Sequence, residues 1–311
     1  MTQLCRLVGI PAFEGAGRRG CDMGPAAFRA AGILGSLVEL GYDIVDDGDI
    51  TRAPADVGRA YPRMKFLPEV AGWIAAASEC AFVKSADSLP VFLGGDHCIS
   101  AGTLTGMSRR AAIEGRDLFV LWLDAHPDYH TLTTSSSGNL HGTSVAYACG
   151  VQGFEGAFPA PTHPVATGNV AMMGLRSVDR EERRALQTAG ISVFDMRAID
   201  ESGVARLVGA FLKRVQEANG LLHVSLDVDV LDPSIAPGVG TTVPGGLTVR
   251  EAHLVMEMLH DSGLVRSVDI VELNPFLDDR GKTAVLMVDL LASLMGRRVM
   301  DHRSISERRG F

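Results

Sequence analysis

Three stretches of the chain crowd together side chains that bind cations: GGDH at 94–97, DAHPD at 124–128 and LDVDVLDP at 226–233. Each directly follows an apolar run, where a strand gives way to a loop. A carboxylate taken out of water costs several kcal/mol or more unless it is paired, hydrogen-bonded or bound to metal. From these stretches two imidazoles and four carboxylates form the candidate ligand set: His97, His126, Asp124, Asp128, Asp227 and Asp229. Four carboxylates balance two divalent cations, whereas without metal they would repel one another and some would have to protonate. An oxygen-rich set with about one imidazole per ion fits manganese better than zinc, which favours nitrogen and sulfur, or magnesium, which rarely takes histidine. A single DxD at a strand end is commonly a turn or a solvated edge. Three such clusters, each closing a strand, point to metal.

The elements that must position these groups are legible in the hydrophobic pattern. In an extended segment alternate side chains share a face, so Asp124, His126 and Asp128 are expected on one side as the strand LFVLWL ends, and Asp227 and Asp229 likewise after LLHV. Pro127 has no N–H to give a sheet ladder, which suits a strand terminus. His97 arrives just past Gly94-Gly95, where absent side chains let other groups approach closely. The runs CRLVGI, YDIVD, LPVFLGG, LFVLWLDAH, NVAMMGL, ISVFDM, LLHVSLDVDV and VRSVDIVELNP read as strands alternating with helical patterns. Helices are predicted over Gly24 to Leu40, Pro68 to Lys84 and Thr248 to Leu259, the second with proline in its first turn. The alternation predicts an α/β fold, a single doubly wound domain over 1–311 with a mostly parallel sheet of about eight strands and helices on both faces. Ligands of such a fold gather at the carboxyl ends of the strands, where the polar clusters fall. The Gly/Pro/Ala-rich segment 151–168 is expected to be a surface loop, since strand and helix patterns resume after it, and 301–311 a C-terminal tail.

Composition narrows the class. With 46% hydrophobic and 21% charged residues in 311, the chain has ample material for a large core. A formal net charge of −8, with only scattered arginine pairs such as Arg18-Arg19, argues against nucleic acid. The five cysteines, Cys5, Cys21, Cys80, Cys98 and Cys149, are widely spaced with no CxxC pair and read as reduced cytoplasmic thiols. Met1 to Pro11 lacks the basic and long apolar regions of a signal peptide, and no apolar run approaches a membrane span.

The motifs GGDH, DAHPD and SLDVDVLDP, in this order and separation, resemble the three metal signatures of the ureohydrolases. Within them the chain is most similar to the arginases: TTSSSGNLHG follows the second motif, GLRSVDREE lies further on, VDIVELNP follows the third, and GAGRRGCDMGPAAFRAAGI resembles the arginase opening. The likeness runs from about Val8 to about Leu294. It implies that His97, Asp124, Asp128 and Asp227 hold one manganese and Asp124, His126, Asp227 and Asp229 the other, two Mn2+ per subunit. Water between such ions is acid enough to supply hydroxide near neutral pH. The resemblance further implies that Asp128 handles the proton for the departing amine, His141 shuttles protons to solvent, Glu272 accepts guanidinium N–H groups and Thr241 neighbours them. The positions matching the pocket mouth are His130, Ser137, Asn139, Asp179 and Glu182. Asp179 and Glu182 suit an ammonium group, while His130, Ser137 and Asn139 suit a carboxylate. His130 stands where well-known arginases have asparagine, and Ser177 where GLRDVD has aspartate. The implied reaction is hydrolysis of L-arginine to L-ornithine and urea in a trimer or hexamer. Agmatine or 4-guanidinobutyrate is the nearest other substrate, and a catalytically silent metal-binding homologue the reading from another class.

Other polar residues have plainer readings. His223 is four residues from Asp227, roughly 13 Å along a strand, too far to share an ion. His163 reads as a loop residue, while His253, His260 and His302 fall in helical or terminal segments. Cys98 reads as a core packer, and Asp269, alternating to the opposite face from Glu272, as a structural hydrogen-bonding group.

Overall fold

Eight apolar runs become eight strands in the computed structural model, which describes residues 3–59 and 61–298: β1 Leu4–Ile10, β2 Asp43–Asp49, β3 Leu89–Gly94, β4 Leu118–Leu123, β5 Val170–Met173, β6 Ser192–Phe194, β7 Leu221–Asp227 and β8 Val265–Val271. They form one sheet in the order β2-β1-β3-β8-β7-β4-β5-β6, every pair parallel. The central strands β3, β4 and β7 are buried along their whole length, which is why they read as continuous apolar runs. At the edge, β2 alternates between half-buried and exposed residues, and its aspartates pair with Arg6, Arg29 and Lys84.

Two apolar layers cover the sheet. On one face Phe28, Leu37, Phe211, Met256 and Leu291, from five helices, pack on Leu7, Val91, Leu121 and Val224. On the other, Ile74, Leu104 and Val145, from the helices Leu67–Lys84, Ile99–Ile113 and Ser144–Ala148, pack on Val8, Phe92, Val120 and Trp122. Helices on both faces of a parallel sheet make the fold doubly wound, as expected.

Two expectations need adjustment. The helix anticipated from Gly24 to Leu40 is two, Gly24–Ala30 and Ile33–Glu39, broken at Gly32, whose φ of 89° a residue with a Cβ would adopt only under strain. The helix anticipated to end at Leu259 runs over Val249–Ser262, with Thr248 and Glu251 forming a capping box. In the 151–168 segment Phe154 and Phe158 are buried, packing edge-on against Tyr147 at 5.4 and 5.3 Å, while His163 is exposed. The tail at 301–311, with His302, lies outside the described residues. No helix among the described residues is long and apolar enough to cross a membrane.

Candidate metal centre

Four neighbouring strands, β3, β8, β7 and β4, bring their carboxyl ends to one place at the middle of the sheet. His97 follows β3, Glu272 follows β8, Asp227 ends β7 and Asp124 follows β4. The approach to His97 needs Gly95: its N–H donates to the Ile10 carbonyl at 2.9 Å, and a Cβ there would lie 1.8 Å from the Ala12 carbonyl oxygen. Buried Asp96 then accepts the N–H groups of Gly15, Ala16 and Cys98 at 2.7, 3.2 and 2.9 Å, tying the 15–16 loop to the GGDH turn. The His97 ring lies flat on Trp122, centroids 4.0 Å apart.

The DxD pairs do not work by extended alternation. In each, the first carboxylate accepts the N–H two residues on: Asp124 from His126 at 2.6 Å and Asp227 from Asp229 at 2.7 Å. These are Asx turns, which fold the chain back at the strand end. Asp128 is then turned inward by a left-handed backbone, φ 46°. Asp229 Oδ1 also accepts the Ala125 N–H at 2.9 Å, joining the second motif to the third.

The ligand atoms converge in two groups, His97 with Asp124 and Asp227, and His126 with Asp124 and Asp229, each set lying within 4.8 Å of one another and sharing Asp124. His97 Nδ1 is 3.0 Å from both Asp124 Oδ2 and Asp227 Oδ2 and 3.5 Å from Asp128 Oδ2. His126 Nδ1 is 3.0 Å from Asp229 Oδ2 and 3.5 Å from Asp124 Oδ1. Despite the close approach, His97 Nδ1 and Asp124 Oδ2 are buried without a hydrogen-bond partner. Lone pairs converging on one point without hydrogen-bond alignment are what a cation requires, so the donor set fits metal.

Electrostatics carry the same signature. Burial and then Asp124 push the Asp128 carboxyl well up; burial, Asp229 and Asp124 do the same to Asp227; burial and Asp124 raise Asp229. Burial opposes charge on the imidazoles, but Asp124 and Asp227 outweigh it at His97, and Asp124 and Asp229 outweigh it at His126, raising the latter to about 12. Protons stand in for cations that would relieve this crowding.

These carboxylates floor a cavity of about 240 Å³, whose walls include His130, Ser136, Ser137, His141, Ser177, Asp179, Glu182 and Thr241. His141 Nδ1 is 3.3 Å from Glu272 Oε1, and that pairing outweighs burial to raise the imidazole to about 9. Glu272, φ 67°, is buried, and its Oε1 also accepts the His97 N–H at 2.8 Å. Thr241 donates to Asp229 Oδ2 at 3.2 Å. At the mouth, Asp179 caps the helix Arg180–Ala189, accepting the N–H groups of Glu181 and Glu182. His130 does not stand free for a carboxylate: its Nε2 is 2.8 Å from Asp179 Oδ2 and 3.7 Å from Glu182 Oε2. Asn139 is turned from the cavity, its oxygen accepting from the Lys65 ammonium at 2.9 Å.

Comparison with known proteins gives this geometry a context. The model of the arginase family matches residues 3–296. The arginase of Brucella melitensis is 59% identical over 304 residues, covering 97% of this chain and 99% of its own. The crystal structure of arginase from Bacillus subtilis superposes with a TM-score of 0.87 at 36% identity, covering 96% of this chain and 100% of that one. The chain belongs to the arginase family. A second arginase structure, the native form from Bacillus caldovelox, also gives 0.87, at 38% identity, over 96% and 100% of the two chains.

Within this arginase-family site, sequence reasoning passed over Arg176. Its guanidinium donates to the carbonyls of Asp229 at 2.6 Å and Val243 at 2.7 Å, tying the strip that carries Thr241 to the end of β7. It also missed Asp96, whose only signal was its place beside His97 in GGDH.

Proposed function

We propose that the protein hydrolyses L-arginine to L-ornithine and urea, with one manganese held by His97, Asp124, Asp128 and Asp227 and a second by Asp124, His126, Asp227 and Asp229. The observation that carries this reading is the pair of ligand groups sharing Asp124 at the floor of a cavity, in a chain of the arginase family. A pair of such cations, when bound, acidifies water enough to supply hydroxide near neutral pH. A water oxygen would add to the guanidinium carbon to give a tetrahedral species. Breaking its C–N bond then leaves urea, and the departing δ-nitrogen takes a proton to become the ornithine amine.

The protein's own groups supply the rest. Asp128, whose carboxyl burial and Asp124 push well up, is suited to carry the proton to the departing nitrogen. His141, on the cavity wall and paired with Glu272, would exchange protons with solvent. Glu272 and Thr241 would receive the guanidinium N–H groups. Asp179 and Glu182 would take the α-ammonium and Ser137 the α-carboxylate, which His130 and Asn139 would reach only on leaving Asp179 and Lys65. Family membership supports assembly as a trimer or hexamer, and five free thiols support a cytoplasmic location for this single-domain enzyme.

Urea release from arginine, agmatine and 4-guanidinobutyrate by metal-stripped protein, before and after manganese, tests the reading. Urea from arginine only after the metal is added is expected. Faster turnover of agmatine would overturn the substrate, and no urea from any of the three would overturn the activity.

A further inference from the structure

Beneath the metal centre a line of polar side chains runs through the otherwise apolar interior of the sheet. His97 Nε2 lies 2.9 Å from Ser225 Oγ, and Ser225 Oγ lies 3.3 Å from Ser100 Oγ. Ser100 donates to Asp269 Oδ2 at 2.6 Å, and the same oxygen accepts the Thr103 hydroxyl at 2.7 Å. His223 Nε2 stands 3.2 Å from that oxygen, and its other ring nitrogen is 2.7 Å from Ser267 Oγ. None of these side chains is more than 1% exposed, so no bulk water substitutes for a missing partner. The residues come from the turn after β3, the helix Ile99–Ile113, β7 and β8, and they meet only in the folded chain.

Counting protons gives this line a direction. An ionised carboxylate only accepts, and a hydroxyl has one proton to give. Burial pushes the Asp269 carboxyl up, but His223 and the Ser100 and Thr103 hydroxyls outweigh it and hold the group below the usual carboxylate range. Ser100 spends its proton on Asp269, so towards Ser225 it can only accept. Ser225 must then donate to Ser100 and can only accept from His97. The N–H of His97 is thereby set on Nε2, which leaves Nδ1 free to present a lone pair between Asp124 and Asp227.

The stack on Trp122 fixes the plane of the His97 ring but not its sense within that plane. A half-turn about Cβ–Cγ would keep the stack and put carbon where each nitrogen now lies. The bond to Ser225 distinguishes the two orientations. His126 has no such support: among the described residues its ring nitrogens meet only the carboxylates of Asp124 and Asp229, and its side chain is 27% exposed.

We propose that Asp269, acting through Ser100 and Ser225, is a positioning residue for the metal centre: it sets the tautomer and ring orientation in which His97 offers Nδ1 to a cation. This rests on the reading of the centre as a two-metal site. Asp269 is then more than a partner for His223 in the core, and His223, too far from the cations to ligate one, belongs to the support of the residue that does.

Calorimetric titration of manganese into metal-stripped protein tests this without any turnover. A His97→Asn variant first shows which binding event depends on His97. Ser225→Ala, Ser100→Ala and Asp269→Asn are expected to weaken that event by about 10- to 100-fold and leave the other event unchanged. Circular dichroism of the metal-free variants should match the parent protein. Unchanged affinity for both ions, or equal loss at both, would overturn the proposal, since general loosening of the core would not single out one ion. Should Asp269→Asn fail to fold, the two serine variants, each lacking one hydroxyl, carry the test. A parent protein that binds no manganese would instead overturn the metal-centre reading itself.

Discussion

His130 shows how one side chain changes a site without touching its chemistry. Its imidazole lines the cavity beside the two carboxylates expected to receive an α-ammonium group, 2.8 Å from Asp179. Substrate must share those carboxylates with it, so its contribution belongs to binding. His130→Ala should raise KM for arginine roughly 10-fold, in line with a charge-assisted hydrogen bond, and lower kcat less. An unchanged KM in steady-state assays would remove His130 from the substrate contacts. His141 is the opposite case, since its partner Glu272 holds the ring in the wall beside Asp128 rather than at the mouth. His141→Asn should lower kcat by about 100-fold or more while manganese content, read by atomic absorption, stays at the parent level. Loss of metal along with activity would show that the ring supports the ligands instead.

At the scale of elements, each ligand depends on how a strand is stopped. β3 ends at a glycine pair because the chain must pass against Ala12, and β4 and β7 end in Asx turns in which an aspartate oxygen accepts the backbone N–H two residues on and holds the carboxylate at the centre. Gly95→Ala puts a methyl group into the Ala12 carbonyl, a backbone atom that cannot swing aside. The variant should bind manganese more weakly than the parent, and normal metal stoichiometry with a normal melting temperature would show that the loop yields. Thr248 is a control, an exposed residue at the start of the Val249–Ser262 helix. Both halves of its capping box are formed, with the Glu251 N–H donating to Thr248 Oγ1 at 3.3 Å and the Thr248 N–H to Glu251 Oε2 at 2.9 Å. Thr248→Ala should cost about 1 kcal/mol in urea unfolding and leave kcat alone.

The whole molecule carries the centre as a linked equilibrium between protons, metal and folding. His141 titrates at about 9 in the folded chain against 6.5 for a free imidazole, so between those values the folded state keeps a proton the unfolded state has lost. Its contribution is complete below 6.5 and disappears as the pH climbs through 9. The melting temperature of metal-free protein should fall across that window, and Glu272→Gln should flatten the fall. A melting curve insensitive to pH there would show that the pairing is not formed. Manganese should act the other way: at about 100 times the dissociation constant, each bound ion adds roughly 2.7 kcal/mol, lost again on chelation.

Strand character, fold class and the six candidate ligands were readable along the chain because periodicity and local motifs are properties of neighbouring residues. The break at Gly32 was harder to see, because one glycine in an apolar helical pattern does not announce whether its φ turns positive. The order of the strands, and with it the meeting of Asp124 with Asp227, was decided only by tertiary structure, since parallel pairing joins segments far apart in sequence. The same holds for the turn of Asn139 towards Lys65, the capture of Asp179 by His130 and the line from His97 to Asp269. Each is a contact between side chains on separate elements, and nothing in the residues beside Asp269 distinguishes a lone buried carboxylate from one that ends a chain of hydrogen bonds.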